Sequence, residues 1–403
     1  MTTDADVIIA GAGPAGSLAA YELAQHGVSV LILEKSRFPR YKVCGAGLTH
    51  KILKEIPFDV SPVFETRIHT FIFSSGFKNV FSRNSPDPMI YCTMRDKFDA
   101  CLLDKAITAG ARIRYGEKVT EVQQDSSSVS VITRSGTFWT KLVIGADGAS
   151  SAVARSARLR ENIMSGLAWE AEIKVDTSAV KTFSKTVFLD WGAFPGGYGW
   201  VFPKGDHFSI GVGGPANLSK WMMPYYRNFI VYLETTSGIK VLETMSLKSW
   251  PIPVRIKKSR FHRERVLVAG DAAGLTDPLT GEGIYYAIRS GKLASAACYD
   301  YLQGNESSLE SYTWAVNKEL MNELLEANHI KNIFNTVPLK IHLFVRDNER
   351  AWRAFGKVLR GERWYADVRM GFGKWQFLWG AACKVSQWIS DIREKRFLGK
   401  GFK

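Results

Sequence analysis

Three separated stretches of the chain carry residues suited to holding a dinucleotide. In the first, DVIIAGAGPAGSLAAYELAQHGVSVLILEK, Gly11, Gly13 and Gly16 stand at G-x-G-x-x-G spacing after an apolar run. Gly11 permits a tight turn, Gly13 lets backbone N–H groups approach a pyrophosphate, and Gly16 lets helix and strand pack closely. Glu34, about 20 residues on, is a carboxylate suited to both ribose hydroxyls, and it disfavours a 2′-phosphorylated ligand. The second stretch is LVIGADGASSAVAR (Leu142–Arg155), and the third is VLVAGDAAGLTDPLTGEGIYYAIRSG (Val266–Gly291). One glycine motif is shared by many strand–turn–helix units. Three in this order point to bound FAD.

These residues need particular elements behind them. Asp6–Ala10 reads as a strand, Leu18–Gln25 as a helix, and Ser29–Leu33 as a second strand ending at Glu34. A strand over Arg265–Ala269 would end at Gly270 and deliver Asp271 to the cofactor groove. A helix starting around Gly281–Ile284 would aim its N-terminus at the flavin, where positive potential favours an anionic reduced ring. Farther back, Tyr198, Trp200 and Phe202 alternate along a strand that Pro203 ends, so they share one face. Such a face either lines an apolar tunnel or fills sheet core.

Composition bounds the classes. The chain has 403 residues and 46% hydrophobic content, enough for two or three lobes of a globular protein. No apolar run has the length of a membrane span. The first strand begins at once, which leaves no room for a signal peptide. Five cysteines without C-x-x-C spacing argue against a metal site or disulfide framework and for a reducing, cytoplasmic compartment. A net charge of +14 suits nucleic acid, an anionic membrane surface or an acidic protein. No zinc-finger or RRM signature supports nucleic acid. Trp352, Trp364, Trp375, Trp379 and Trp388 lie among basic residues near the C-terminus. They suit either a peripheral contact with a membrane face or the core of a helical lobe.

The expected fold is α/β, α+β overall. A discontinuous Rossmann-type FAD-binding domain takes 1–60, 93–155 and 256–305. An inserted antiparallel-sheet substrate domain takes 61–92 and 156–255, and a helical, basic, Trp-rich region takes 306–403.

From the N-terminus to about Gly291 the chain resembles the geranylgeranyl reductase family, within the p-hydroxybenzoate hydroxylase-like flavoproteins. The resemblance rests on GAGPAG, PRYKVCGAGL (Pro39–Leu48), GYGWVFPKGDHFSIGVGG (Gly197–Gly214), and GDAAG with GEGIYYAIRSG. It implies that Ala15 and Glu34 meet the pyrophosphate and ribose, and that Cys44, Gly45 and Gly47 run beside the flavin. Arg95 would reach the FAD phosphates, and Val119 would meet adenine through its backbone. Asp271 would approach the ribityl or pyrophosphate part, with Gly283 and Ile284 near the isoalloxazine. Tyr198, Trp200 and Phe202 match the family's Y-x-W-x-F-P-K stretch and would line a prenyl tunnel; related halogenases carry W-x-W-x-I-P in a similar place.

The implied reaction saturates isolated C=C bonds of geranylgeranyl or polyprenyl chains, on a lipid or a diphosphate. An unpolarised alkene needs a proton at its less substituted carbon while hydride is captured at the other. Cys44 is the candidate donor or positioning residue. Electrons would come from NADPH or from reduced ferredoxin, an acidic carrier suited to the basic surface. Two other readings stand beside this one: an FAD-dependent aromatic monooxygenase or halogenase, and a non-catalytic flavoprotein that binds prenyl lipid.

Overall fold

Runs rich in valine and isoleucine lie side by side as buried parallel strands, as expected of strands covered on both faces. In a computed structural model describing residues 3–125, 127–370 and 376–399, Ala5–Ala10 pairs in parallel with both Val30–Glu34 and Thr137–Gly145. Val266–Val268 and Arg112–Tyr115 extend this sheet on either side, and further strands bring it to eight. The helix after the first strand starts at Pro14, not at Leu18, and runs to Gln25. Proline suits that first turn because its missing N–H would have no helical partner there.

A second sheet has seven strands, ordered Val241–Arg255, Ile163–Val175, Phe208–Pro215, Tyr198–Pro203, Thr186–Trp191, Thr70–Ser75 and Lys78–Asn84. It differs from the all-antiparallel expectation at one seam, where Thr186–Trp191 pairs in parallel with Thr70–Ser75. No hairpin joins those two strands. The chain passes through the parallel-sheet half between them, so their relative direction is unconstrained by a turn. Strand alternation splits this sheet into two faces. Ala171, Ile173, Val201, Phe208, Ile210 and Val212 pack with Met222, Phe229 and Leu233 of the helix Ser219–Thr236. The intervening residues, including Glu170, Glu172, Trp200, Phe202 and Ser209, turn to the other face.

A three-stranded sheet of Gly47–Thr49, Ile90–Thr93 and Phe64–Ile68 joins the two large ones. Beyond Gly291 the chain is helical. The stretch LMNELLEANHIKNIF begins in the last two residues of a π turn, Val316–Met321, and runs on unbroken in the helix Asn322–Thr336. Trp352 is buried on the helix Glu349–Leu359 and packs edge-on against Phe71 and Phe73. Trp364 is 39% exposed and Trp388 65%. Trp375 and the side chain of Trp379 lie outside the described residues. The tryptophans therefore divide between core and surface. No helix among the described residues is long and apolar enough to cross a membrane.

Candidate cofactor site and the loop under the aromatic strand

The three glycine motifs converge. Gly11 has φ +98°, and a Cβ there would lie 2.5 Å from the Ala146 carbonyl oxygen, so the first and second motifs touch backbone to backbone. Gly270 has φ +59° and turns the chain to present Asp271; its N–H donates to Ser290 Oγ at 2.9 Å. A Cβ on Gly270 would come within 3.2 Å of Ala15, which puts the third motif against the first helix. Asp271 Oδ1 lies 3.4 Å from the Cβ position of Gly283, just ahead of the helix Ile284–Leu302. The helix start expected around Gly281–Ile284 is thus at Ile284, with Asp271 beside it.

Glu34 is buried at the end of its strand. Its Oε2 accepts from Ala12 N–H at 2.8 Å and its Oε1 from Ser36 N–H at 2.9 Å. Gly13 stands next to this turn. The Glu117 N–H donates to the Glu34 carbonyl at 3.0 Å, which brings the segment bearing buried Val119 to the same strand end. Val119 lies in the connection before Glu121–Gln124, not in a strand.

Two arginines border this groove, and only Arg95 was expected from the sequence. Arg95 does not project alone into the groove: Asp99 holds it with two bonds of 2.7 and 2.8 Å, and Cys44 lies beside its guanidinium. Arg40 also bonds Asp99, at 3.0 Å, and lies 4.6 Å over the Phe38 ring. Its Nη2 is 4.0 Å from the Cβ position of Gly13, and its Nη1 is buried without a partner. A half-buried guanidinium with one buried, unmet donor beside a pyrophosphate turn fits a phosphate oxygen. Arg40 therefore joins the candidate FAD residues, a role for which its place in PRYKVCGAGL gives no sign. Lys42 borders the same space, stacked 4.1 Å over Trp250, with its ammonium lowered to about 8 by burial and by Arg95. Asp147 of the second motif accepts from Ala152 N–H at 2.7 Å, and its other oxygen is buried and unpartnered. Glycine cradle, helix starts, Glu34, Arg40 and Asp271 together fit the diphosphate and ribose of FAD.

Cys44, Gly45 and Gly47 form a loop directly under the aromatic strand. A Cβ on Gly45 would lie 2.9 Å from the Phe202 ring and 3.0 Å from Trp200 Nε1, and one on Gly47 would also meet Phe202 at 2.9 Å. Small residues are required here because the rings occupy the side-chain space. Lys204, buried, donates to the Gly45 carbonyl at 2.7 Å and to that of Thr93 at 2.9 Å, so the FPK turn pins the loop from below. Cys44 is half-buried, and its Sγ accepts from Ala46 N–H at 3.4 Å. Trp200 is buried with its indole N–H unpartnered. Tyr198 reaches the other way and donates to the Thr280 carbonyl at 2.5 Å; burial pushes its phenol up.

The loop after Asp277 is tied down by residues from outside the motifs. Asp277 accepts from Leu279 and Thr280 N–H at 2.7 and 3.1 Å and from the Tyr365 hydroxyl at 2.9 Å. Glu282 pairs with Lys51 at 2.6 Å and accepts from Thr49. A separate cavity of about 240 Å³ opens between Gly192–Gly197 and the last helix, and none of the site residues expected from the sequence lines it.

Residues 4–317 match the FAD binding domain family. The geranylgeranyl diphosphate reductase of Rhodobacter capsulatus is 30% identical over 312 residues, 75% of this chain and 76% of that one. The digeranylgeranylglycerophospholipid reductase of Methanosarcina acetivorans is 30% identical over 327 residues, 76% of this chain and 77% of that one. The crystal structure of a geranylgeranyl bacteriochlorophyll reductase-like protein from Thermoplasma acidophilum aligns with a TM-score of 0.69 at 25% identity, covering 82% of this chain and 87% of that one. With converging glycine motifs and a Cys-Gly-Ala-Gly loop closed by Tyr-x-Trp-x-Phe-Pro-Lys, the chain belongs to the geranylgeranyl reductase family of FAD-binding flavoproteins and is an FAD-dependent oxidoreductase.

Proposed function

We propose that this protein saturates isolated C=C bonds of a geranylgeranyl or longer prenyl chain, borne on a lipid or on a diphosphate. The observation that carries this reading is the seating of Trp200 and Phe202 directly on Gly45 and Gly47. It puts an apolar, aromatic wall against the loop assigned to the flavin, as an alkene without polar handles requires. Reduced FAD, when bound, supplies hydride. The chain's own residues do the rest. Gly13, Ala15, Gly16, Glu34, Arg40 and Asp271 hold the dinucleotide, with Arg95 bracing Asp99 and the Cys44 loop. Val119 borders the adenine end, and Gly283 and Ile284 border the ring. Tyr198, Trp200 and Phe202 exclude water and orient the prenyl chain. Cys44 positions the reacting segment or donates to it.

NADPH or an acidic carrier such as reduced ferredoxin serves as electron source, and the basic surface favours approach of either anion. Exposed Trp388 among lysines and arginines supports peripheral contact with an anionic membrane, where the substrate lipid resides. The test is anaerobic: reduce the flavin with dithionite, add a geranylgeranyl lipid, and follow flavin reoxidation and product mass. Product heavier by pairs of hydrogens is the expected result. Flavin that stays reduced with several prenyl lipids would sink the proposal. Oxygen-dependent oxidation with a hydroxylated or halogenated aromatic product would replace it.

A further inference from the structure

We propose that Glu170 is the proton reservoir for this reduction, refilled from solvent through Glu172 and His207. The inference rests on the reductase reading above and concerns a group no motif singles out.

Alternation along Ile163–Val175 sends Ala171 and Ile173 into the helix-covered core and turns Glu170 and Glu172 to the loop side. Register places Glu170 between Lys248 and Gly211, and Gly211 is in turn paired with Trp200. Glu172 lies between Ser246 and Ser209. One row thus crosses four strands from Lys248 through Glu170 to Trp200, whose indole overlies Gly45.

Three buried polar atoms in this patch, Glu170 Oε1, Trp200 Nε1 and Ser209 Oγ, lack a partner at full hydrogen-bond geometry, with the Ser209 hydroxyl and the Cys44 N–H near enough to act on the Glu170 carboxylate. Buried polar atoms are nearly always paired, so a group of orphans on one face marks where a proton, water or ligand is handled. Glu170 is 1% exposed. Burial, then the Glu172 charge, raises its carboxyl to about 7, against the opposing pull of Lys204, the Cys44 N–H and the Ser209 hydroxyl. A carboxyl balanced there carries a proton at neutral pH and releases it at little cost.

A path to solvent begins at Glu172. Its Oε2 lies 3.1 Å from His207 Nε2, and His207 Nδ1 lies 2.7 Å from Asp206 Oδ1. The Asp206 side chain is 94% exposed. Burial pushes the imidazole down, but its bonds to Glu172 and Asp206 outweigh that and raise it, which suits a shuttle near neutrality. The remaining charged or titratable neighbours are Tyr41, bonded to Ser246 at 3.3 Å, Lys248 above the Tyr41 ring at 4.7 Å, Lys204 and Cys44.

The balance per double bond is simple. One π bond breaks and two C–H bonds form. Hydride from the reduced cofactor brings two electrons and one hydrogen, and the Glu170 carboxyl brings the proton. The cofactor ends oxidised, and the carboxylate regains a proton by way of Glu172 and His207.

Two readouts test this. Infrared spectra of the FAD-loaded protein should show the C=O stretch of a protonated carboxylic acid that fades as pH rises through neutrality and is missing in Glu170→Gln. A carboxyl band that does not titrate there, or that persists in Glu170→Gln, overturns the assignment without reference to turnover. In anaerobic single turnovers with a geranylgeranyl lipid, the wild-type rate should fall as pH rises through neutrality. Glu170→Gln should flatten that limb and slow the step about 10²- to 10⁴-fold. His207→Gln, farther out, should spare the first turnover and slow later ones. If wild type makes saturated product and Glu170→Gln keeps its single-turnover pH profile, or His207→Gln runs later turnovers at the wild-type rate, the relay fails alone. If wild type makes none, the reductase reading fails and takes the relay's role with it, whatever the infrared band does.

Discussion

The tightest approaches in the nucleotide-binding half are backbone against backbone, whereas under the seven-stranded sheet they are backbone against ring. A Cβ on Gly11 or Gly291 would press on the carbonyl of Ala146 or Ala15. A Cβ on Gly45 or Gly47 would instead meet the side chain of Trp200 or Phe202, and one on Gly211 would meet the Trp200 ring first, at 2.2 Å, and the Trp169 carbonyl oxygen only behind it, at 2.8 Å. A peptide group in a sheet or helix cannot retreat without giving up a hydrogen bond, but a ring can turn about its χ angles. The first half is therefore built to one fixed geometry, as a cofactor with a rigid diphosphate turn demands. The second has walls that can give by a few tenths of an ångström, as a long flexible alkene demands.

Substitution can break or sharpen that contrast. Gly11→Ala should be the most damaging. Overpacking against a carbonyl and a left-handed φ together cost about 4 kcal/mol, with loss of bound flavin, read by the yellow absorbance of the purified protein and by its melting temperature. A stable, yellow Gly11→Ala would end the claim that the first half cannot yield. Arg40→Ala should weaken FAD binding by about 2 kcal/mol, roughly 30-fold, with little change in apoprotein stability. Flavin titration of the apoprotein decides it, and an unchanged Kd would return the phosphate role to Arg95. Gly211→Ala should cost about 2 kcal/mol while retaining flavin, because the Trp200 ring can shift and only the Trp169 carbonyl, 2.8 Å from the new Cβ, resists. Its signature is altered tryptophan fluorescence with an intact flavin spectrum; loss of flavin would show that the two halves are equally stiff. Tyr365→Phe should be mildest, about 1 kcal/mol from the lost bond to Asp277, visible in urea unfolding.

The cofactor turn was legible because it is local. Strand, glycines, helix and Glu34 fall within one short stretch, where spacing alone constrains geometry. Cys44 and the aromatic strand were legible only as separate motifs, and their contact was not. Arg95 was read as the phosphate ligand because its sequence neighbours match the family. Yet Asp99, one helical turn on, claims its guanidinium and leaves Arg40 with the free donor. Competition between two arginines for one carboxylate has no trace in the spacing of either. Glu170 escaped notice for a similar reason: a glutamate on an alternating strand reads as solvent-facing until something covers it.

By itself the sequence determined the dinucleotide turn, the family and the identity of the strand formers, because these depend on neighbours within a few tens of residues. Only the tertiary structure decided which face of the second sheet is closed by the Cys44 loop. It alone joined Thr70–Ser75 in parallel to Thr186–Trp191 and left Arg40 and Glu170 with buried, unmet polar atoms. Burial and pairing are set by segments far apart in the chain, and what a buried charge does depends on what those segments bring against it.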